Sequence, residues 1–194
     1  MKRFMSLVTA TLLCCLLSAC TPAPSREDYS PGNIPGESKV LVVYFSCTGT
    51  TEGIAELIAE NTAGALYEII AEDPYTPEDL DYYSGGRADQ EQADPSVRPA
   101  ISGKAEGMTD YDIIFLGYPI WHGQAPRIIS TFLEQYDFAG KTIVPFCTSG
   151  SSGIGSSATT LHALAPAANW LEGRRFSGSE SREAIAAWLG EINL

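Results

Sequence analysis

The sequence predicts an α/β fold in which a doubly wound, five-stranded parallel sheet lies between two layers of helices. From Lys39 onward, short apolar runs alternate with stretches of helical periodicity, in the order β-α-β-α-β-α-β-α-β-α. The apolar runs are nearly continuous, which is typical of strands buried on both faces of a parallel sheet. Right-handed crossovers place the helices on both faces, and ligands of such sheets bind at the carboxyl ends of the strands.

Each apolar or periodic stretch has the length of one element. The predicted strands cover residues 39–45, 65–70, 112–118, 141–147 and a short stretch near 170–176. The predicted helices cover residues 51–62, part of 77–93, 126–136, 156–165 and 181–192. The segment 71–109 is long for a crossover and contains Tyr75, Tyr82 and Tyr83. Two interpretations of it stay open: an exposed second helix with its connections, or an excursion that reaches the functional site.

The start of the chain is predicted to be an export signal rather than part of the fold. Residues 1–19 combine a basic beginning with a short apolar stretch, and the sequence ending at Cys20 resembles the lipobox of bacterial lipoproteins. This resemblance implies lipidation of Cys20 and anchoring at a membrane surface of the cell envelope. The proline-rich residues 20–38 would then form a disordered tether, and residues 39–194 a single domain. An ordinary signal peptide cut near Ala19 would instead leave a secreted protein.

Composition narrows the classes of partner and of site. The chain of 194 residues has a formal net charge of −12, which disfavours nucleic acid and favours basic partners. Of its five cysteines, only Cys47 and Cys147 lie in the predicted domain, too few for a disulfide scaffold. We expect both to be free thiols, because a third strand should separate the strands that carry them. The sequence contains no spacing typical of a zinc site, so we expect no metal.

The end of the first strand has the composition of a phosphate cradle. Ser46, Cys47, Thr48, Gly49, Thr50 and Thr51 follow the apolar run directly and open the first helix. Unpaired N–H groups at a helix N-terminus attract anions, glycine permits close approach of the backbone, and the hydroxyls add donors. The loop lacks the Gly-Lys-Ser/Thr ending of a Walker A motif and the Gly-x-Gly-x-x-Gly spacing of a dinucleotide fingerprint. In the alternative interpretation, Thr50 or Thr51 only caps the helix.

Two further strand ends should meet this cradle at the carboxyl edge of the sheet. The loop after the third strand carries Pro119, Ile120, Trp121, His122 and Gly123, and the loop after the fourth carries Thr148, Ser149, Gly150 and Gly153. Trp121 could offer a stacking surface to a flat ring, or it could be a core aromatic residue. His122 is interpreted either as a surface, hydrogen-bonding residue or as a proton donor. Together the three loops suit a flat ring with a phosphate arm.

These motifs resemble those of the flavodoxin family, over residues 39 to about 193. The family's phosphate loop matches Ser46–Thr51, and its two ring-binding loops match Tyr118–Gly123 and Thr148–Gly153. The resemblance implies a flavodoxin-like fold and FMN as the cofactor, and the Tyr-Pro-Ile-Trp and Arg-Pro-Ala-Ile stretches resemble a bacterial flavodoxin-like subgroup. In one departure from the small electron carriers, the 148–153 loop has no aromatic residue. The second face of the flavin would then be open, or covered by a tyrosine of residues 75–83.

Three functions follow from the resemblance and remain alternatives. The first is FMN-dependent electron transfer at the bacterial cell envelope, with a basic redox protein or a small-molecule electron donor or acceptor as partner. The second is an FMN reductase that depends on NAD(P)H or a quinone. The third is a lipoprotein scaffold that has the fold and binds no flavin.

Overall fold

The computed structural model describes residues 37–192 and Leu194. Its main sheet contains the strands β1 (Val40–Tyr44), β2 (Ala65–Glu68), β5 (Ile113–Pro119), β6 (Thr142–Thr148), β7 (Asn169–Trp170) and β8 (Arg174–Phe176). All pairings are parallel, in the order β2-β1-β5-β6-β7, with β8 also paired to β6. This is the predicted doubly wound order, with its switch point between β1 and β5.

Within the described residues, five α-helices accompany the strands: α1 (Thr50–Thr62), α2 (Arg87–Ala93), α3 (Arg127–Glu134), α4 (Gly155–Thr159) and α5 (Arg182–Glu191). The two faces of the sheet bury separate cores. On one face Leu116 and Tyr118 pack with Ile128 and Phe132 of α3. On the other face α1 and α5 pack against β1, β5 and β6, with Ile54, Ile58, Ile185 and Leu189 buried. The three-layer α/β/α architecture is therefore as predicted.

The last predicted strand, near 170–176, is two short strands because its neighbour contains a proline. β7 pairs with Thr142 and Ile143, and β8 resumes opposite Phe146. Between these partners lies Pro145, which has no N–H to donate to a ladder. Gly173 fits here because a Cβ at that position would lie 2.6 Å from the Pro145 carbonyl oxygen. The edge of the sheet is thus broken at the residue that cannot pair.

The segment 71–109 is helical only in part, as predicted. Of residues 77–93, only Arg87–Ala93 form a helix, and the residues before Gly86 form turns. Two short strands, β3 (Ile70–Ala71) and β4 (Ile101–Ser102), pair antiparallel and close the segment at its base. The Gln92 side chain, which is buried, donates to the carbonyl oxygens of Trp121 and Ala125 at 3.0 and 3.2 Å. The segment is therefore fastened to the loop that follows β5.

The predicted signal peptide (1–19), Cys20 and the tether up to residue 36 lie outside the described residues. Within residues 37–192 and Leu194, no helix has both the length and the apolar character that a membrane crossing requires.

Candidate functional site

A cavity of about 330 Å³ lies at the carboxyl ends of β1, β5 and β6. Small-molecule sites typically have volumes of about 300–1,000 Å³. Its walls come from the three predicted loops, from residues 80–82 and from the residue that follows β8. The lining residues are Ser46, Cys47, Thr48, Thr50, Thr51, Leu80, Tyr82, Pro119, Ile120, Trp121, Thr148, Ser149, Gly150 and Ser177. None of these side chains is an acid, a lysine or an arginine. The lining therefore combines neutral hydrogen-bonding groups with apolar side chains.

The first loop has the geometry of an anion cradle. Gly49 has a φ of 80°, a conformation that glycine adopts without strain, and α1 begins at the next residue. The first N–H groups of α1 have no acceptor within the helix. The Ser46 Oγ atom is buried and has no hydrogen-bond partner among the described residues. A buried hydroxyl without a partner is costly, so a ligand oxygen at this position would satisfy it.

The two threonines proposed as helix caps do not cap α1. The N-cap residue is Gly49, and no side chain caps the helix end. Thr51 is buried, and its Oγ1 lies 2.7 Å from the Oγ1 of Thr148, which is also buried. These two hydroxyls therefore fasten the first loop to the third across the floor of the cavity.

We expect the Thr51–Thr148 hydrogen bond to stabilise the fold as well as the site. Thr51→Val removes one hydroxyl and leaves that of Thr148 buried without its partner, which should cost about 1–3 kcal/mol of unfolding free energy. The double variant Thr51→Val/Thr148→Val should lose less than the sum of the two single losses. Urea denaturation of all four proteins measures the coupling. Additive losses would show that the two hydroxyls act independently.

The second loop is a tight turn that buries its tryptophan. The N–H of Ile120 donates to the Thr148 carbonyl oxygen at 3.0 Å, and Trp121 and Gln124 exchange backbone hydrogen bonds of 2.9 Å. The Trp121 ring is 8% exposed and packs edge-on against Phe45 and Tyr75, with ring centroids 5.5 and 5.2 Å apart. Trp121 therefore lines the cavity as part of its wall and is also a core residue, the alternative considered for it from the sequence.

Four of the predicted site residues do not line the cavity: Gly49, His122, Gly123 and Gly153. Gly49 shapes the cradle through its backbone. His122 points to Asp89, with its Nε2 atom 2.6 Å from the Asp89 Oδ1, and so contacts α2. A Cβ added to Gly123 or Gly153 would have no other group within 4 Å, so close packing does not require glycine at either position.

Several residues of the site could not be assigned from motifs. Leu80, Tyr82 and Ser177 line the cavity although they lie outside the three predicted loops. Arg175 holds the third loop in place: its Nε donates to the Ser149 carbonyl oxygen at 2.9 Å, and its Nη2 donates to the Gly150 carbonyl oxygen at 2.7 Å. The one sequence feature that pointed to any of these residues was the presence of tyrosines in the unusually long segment 71–109.

The Cys47 thiol is exposed but hard to ionise. Partial desolvation in the loop, and then the charge of Glu68, raise its pKa to about 11 in spite of the opposing charge of Arg87. Thiolate is the reactive form. We therefore expect alkylation of Cys47 by iodoacetamide to be slow near pH 7 and to accelerate up to about pH 11. Mass spectrometry of the Cys47 peptide follows the rate, and a plateau below pH 9 would contradict the raised pKa.

The buried Cys147 is the internal control for this measurement. Its pKa is raised to about 12, chiefly by burial. It should stay unmodified in the native protein, and both thiols should react after denaturation. Cys47, in the loop after β1, and Cys147, on β6, are both free, as predicted, and β5 lies between these two strands.

Comparisons with known proteins agree with the fold and the site. The sequence profile of the flavodoxin family matches residues 39–192. A protein from Bacteroides eggerthii classed as a flavoprotein is 49% identical, with a TM-score of 0.75 over 80% of this chain and 98% of that one. A flavoprotein from Lactobacillus acidophilus in complex with FMN is 24% identical, with a TM-score of 0.57 over 71% of this chain and 93% of that one, and shares the fold.

Two curated relatives are named for the same enzymatic activity. An NAD(P)H dehydrogenase (quinone) from Bradyrhizobium sp. (strain ORS 278) is 32% identical over 100 residues, which are 50% of this chain and 46% of that protein. The chain thus spans about half the length of the curated relatives it matches.

The cavity fits the cofactor that the sequence predicted. Flavodoxins hold FMN at the switch point of this sheet, where the cradle here offers backbone N–H groups and the buried Ser46 hydroxyl to a phosphate. The apolar wall of Ile120 and Trp121 suits a flat aromatic ring. The family match over residues 39–192, the strand order and this cavity confirm the predicted cofactor, FMN, and show that the chain belongs to the flavodoxin family.

Proposed function

We propose that this protein transfers electrons through bound FMN at the bacterial cell envelope, exchanging them with a basic redox protein or a small molecule. The observation that carries the proposal is the neutral cavity at the switch point, in which the buried Ser46 hydroxyl has no hydrogen-bond partner in the described part of the chain. When bound, FMN supplies the redox chemistry, and the protein supplies binding, orientation and electrostatic tuning.

The residues of the site divide these tasks. The N–H groups at the start of α1, together with Ser46, Thr48 and Thr50, would hold the phosphate. Ile120 and Trp121 would exclude water from one side of the ring. The Thr51–Thr148 hydrogen bond and the Arg175 contacts keep the first and third loops at a fixed separation. None of the described residues that line the cavity has a charged side chain, so the lining does not compensate extra negative charge on a reduced flavin.

A basic partner is favoured by the charges at the rim of the cavity. The formal net charge is −12. The exposed acids Glu78 and Asp81 and the half-buried Asp79 lie within four residues of Tyr82, which lines the cavity. Attraction between exposed charges weakens with ionic strength. Electron transfer from the FMN-loaded protein to a basic acceptor, cytochrome c, should therefore slow as salt increases. A rate that does not change with salt would argue against a basic protein partner.

The envelope location rests on the sequence alone. If Cys20 is lipidated, the protein should partition with membranes in its bacterial host, and the Cys20→Ala variant should not. Membrane fractionation with mass spectrometry of the N-terminal peptide tests this. A soluble wild-type protein that begins after a cleavage near Ala19 would support the ordinary signal peptide instead.

A second candidate function is the reduction of a quinone with NAD(P)H. It is favoured by the name of the Bradyrhizobium relative and by the 148–153 loop, which has no aromatic residue and so leaves room for a substrate. The FMN-loaded chain from Thr21 separates the two functions. Rapid NAD(P)H oxidation with a quinone would support the reductase. Slow oxidation, combined with stepwise one-electron reduction on titration with dithionite, would support the carrier.

A further inference from the structure

His122 adopts a backbone conformation that is unusual for its residue type. Its φ is 48°, in the left-handed region that residues other than glycine seldom occupy. The turn directs its ring away from the cavity and onto the ring of Tyr82, at a centroid distance of 4.3 Å and an interplanar angle of 10°. The backbone N–H of His122 donates to the Tyr82 hydroxyl. Two contacts therefore join His122 and Tyr82, which are 40 residues apart.

Asp89 of α2 fixes the other edge of the His122 ring. Its Oδ1 lies 2.6 Å from the His122 Nε2, and its Oδ2 accepts from the N–H of Gly85 at 2.9 Å. The Gly85 N–H and the His122 ring lower the pKa of Asp89, so this carboxyl is ionised near neutral pH. An ionised carboxylate only accepts hydrogen bonds, and the His122 Nε2 must therefore carry the proton and donate it.

Tyr82 is the only aromatic residue of the cavity lining, apart from Trp121, in the described part of the chain. Trp121 is nearly buried, whereas Tyr82 is 47% exposed and so lies at the rim. The third loop, where the small electron carriers place an aromatic residue, contains only Thr148, serines and glycines up to Gly153. The rim position is therefore occupied by a side chain from the long segment before α2.

We propose that Tyr82 is the aromatic cover of the cofactor cavity and that Asp89 and His122 are positioning residues that hold it there. The proposal rests on the function proposed above in requiring that FMN occupies the cavity. Asp89 fixes the His122 ring, and His122 fixes Tyr82 through ring stacking and its backbone N–H. The cover thus depends on a chain of contacts between α2 and the loop after β5, rather than on a residue of the third loop.

The affinity of the protein for FMN tests whether Tyr82 covers the cofactor. Tyr82→Ala should weaken FMN binding about tenfold, which corresponds to about 1.4 kcal/mol and lies at the upper end for an aromatic pair. Tyr82→Phe keeps the ring and should lose less. Asp89→Asn should weaken binding by a smaller factor than Tyr82→Ala. The matched control is Asp81→Asn, which removes the same charge from a side chain without a hydrogen-bond partner in residues 37–192. This variant should bind FMN as the wild type does. Fluorescence quenching during FMN titration provides the dissociation constants.

Hydrogen exchange in the FMN-free protein tests the positioning chain by itself. The His122 amide should be protected in the wild type and in Asp81→Asn, and it should exchange at least several-fold faster in Tyr82→Phe and Asp89→Asn. Unchanged FMN affinity in Tyr82→Ala would overturn the cover. Unchanged exchange in Asp89→Asn would overturn the positioning role. If the wild type fails to bind FMN, the proposed function fails, an outcome distinct from both of these.

Discussion

Gly117→Ala is expected to destabilise the fold strongly, because it adds a methyl group where the core of the sheet has no space for one. Gly117 lies in β5, paired with Tyr44 on one side and with Phe146 on the other. A Cβ at this position would lie 2.1 Å from the Cζ of Phe146, a ring with no exposed surface. The ring is confined within the core and cannot move away without disturbing its neighbours. Overpacking of this kind costs about 1–3 kcal/mol and sometimes more.

Urea denaturation measures this loss, and α1 provides the matched control. Gly53→Ala adds the same methyl group to a helical glycine whose Cβ would have nothing within 4 Å. It should stabilise the protein by about 0.5–1 kcal/mol, because alanine loses less backbone entropy in a helix. In the Gly117→Ala background, Phe146→Leu should restore part of the loss. Equal effects of the two glycine substitutions would show that the Phe146 contact does not matter.

Ser46→Ala is expected to change stability and ligand affinity in opposite directions. The Ser46 hydroxyl is buried without a partner among the described residues, so its removal should stabilise the FMN-free protein by about 1 kcal/mol. The same change removes a donor from the cradle. A hydrogen bond to a charged group contributes about 1.5–3 kcal/mol, so FMN affinity should fall by about tenfold to a hundredfold.

Two measurements on one variant therefore test the role of Ser46. Urea denaturation of the FMN-free protein gives the first effect, and FMN titration gives the second. Ser102→Ala, at an exposed position of β4 outside the cavity, is the matched control and should change neither quantity. If Ser46→Ala destabilised the FMN-free protein and left FMN affinity unchanged, Ser46 would be a structural residue rather than part of the cradle.

The sheet and the cradle could be predicted because both depend on local sequence. The runs that became β1, β5 and β6 are nearly continuous in apolar residues, and burial on both faces demands this of a central parallel strand. The hydroxyl-rich loop from Ser46 follows β1 directly, so its place at the edge of the sheet follows from the strand itself. The order of strands came from the family resemblance and is the order observed.

Contacts between distant segments could not be predicted in the same way. Tyr82 reaches the cavity because α2 is fastened to the loop after β5 through Gln92 and Asp89, contacts that span about thirty residues. Arg175 supports the third loop from a strand whose own boundaries depend on Pro145. Periodicity does not reveal which side chains will meet across a fold, and this is why the role of segment 71–109 stayed open.

The central claim is that the cradle at the start of α1 binds the phosphate of FMN. Fluorescence titration of the FMN-free protein with FMN and, separately, with riboflavin tests it most directly, because the two ligands share the ring and differ in the phosphate. FMN should bind with quenched fluorescence, and riboflavin should bind more weakly by about a hundredfold or more, the loss expected for two charge-assisted hydrogen bonds. Equal affinity for the two ligands, or no quenching at micromolar FMN, would contradict the claim.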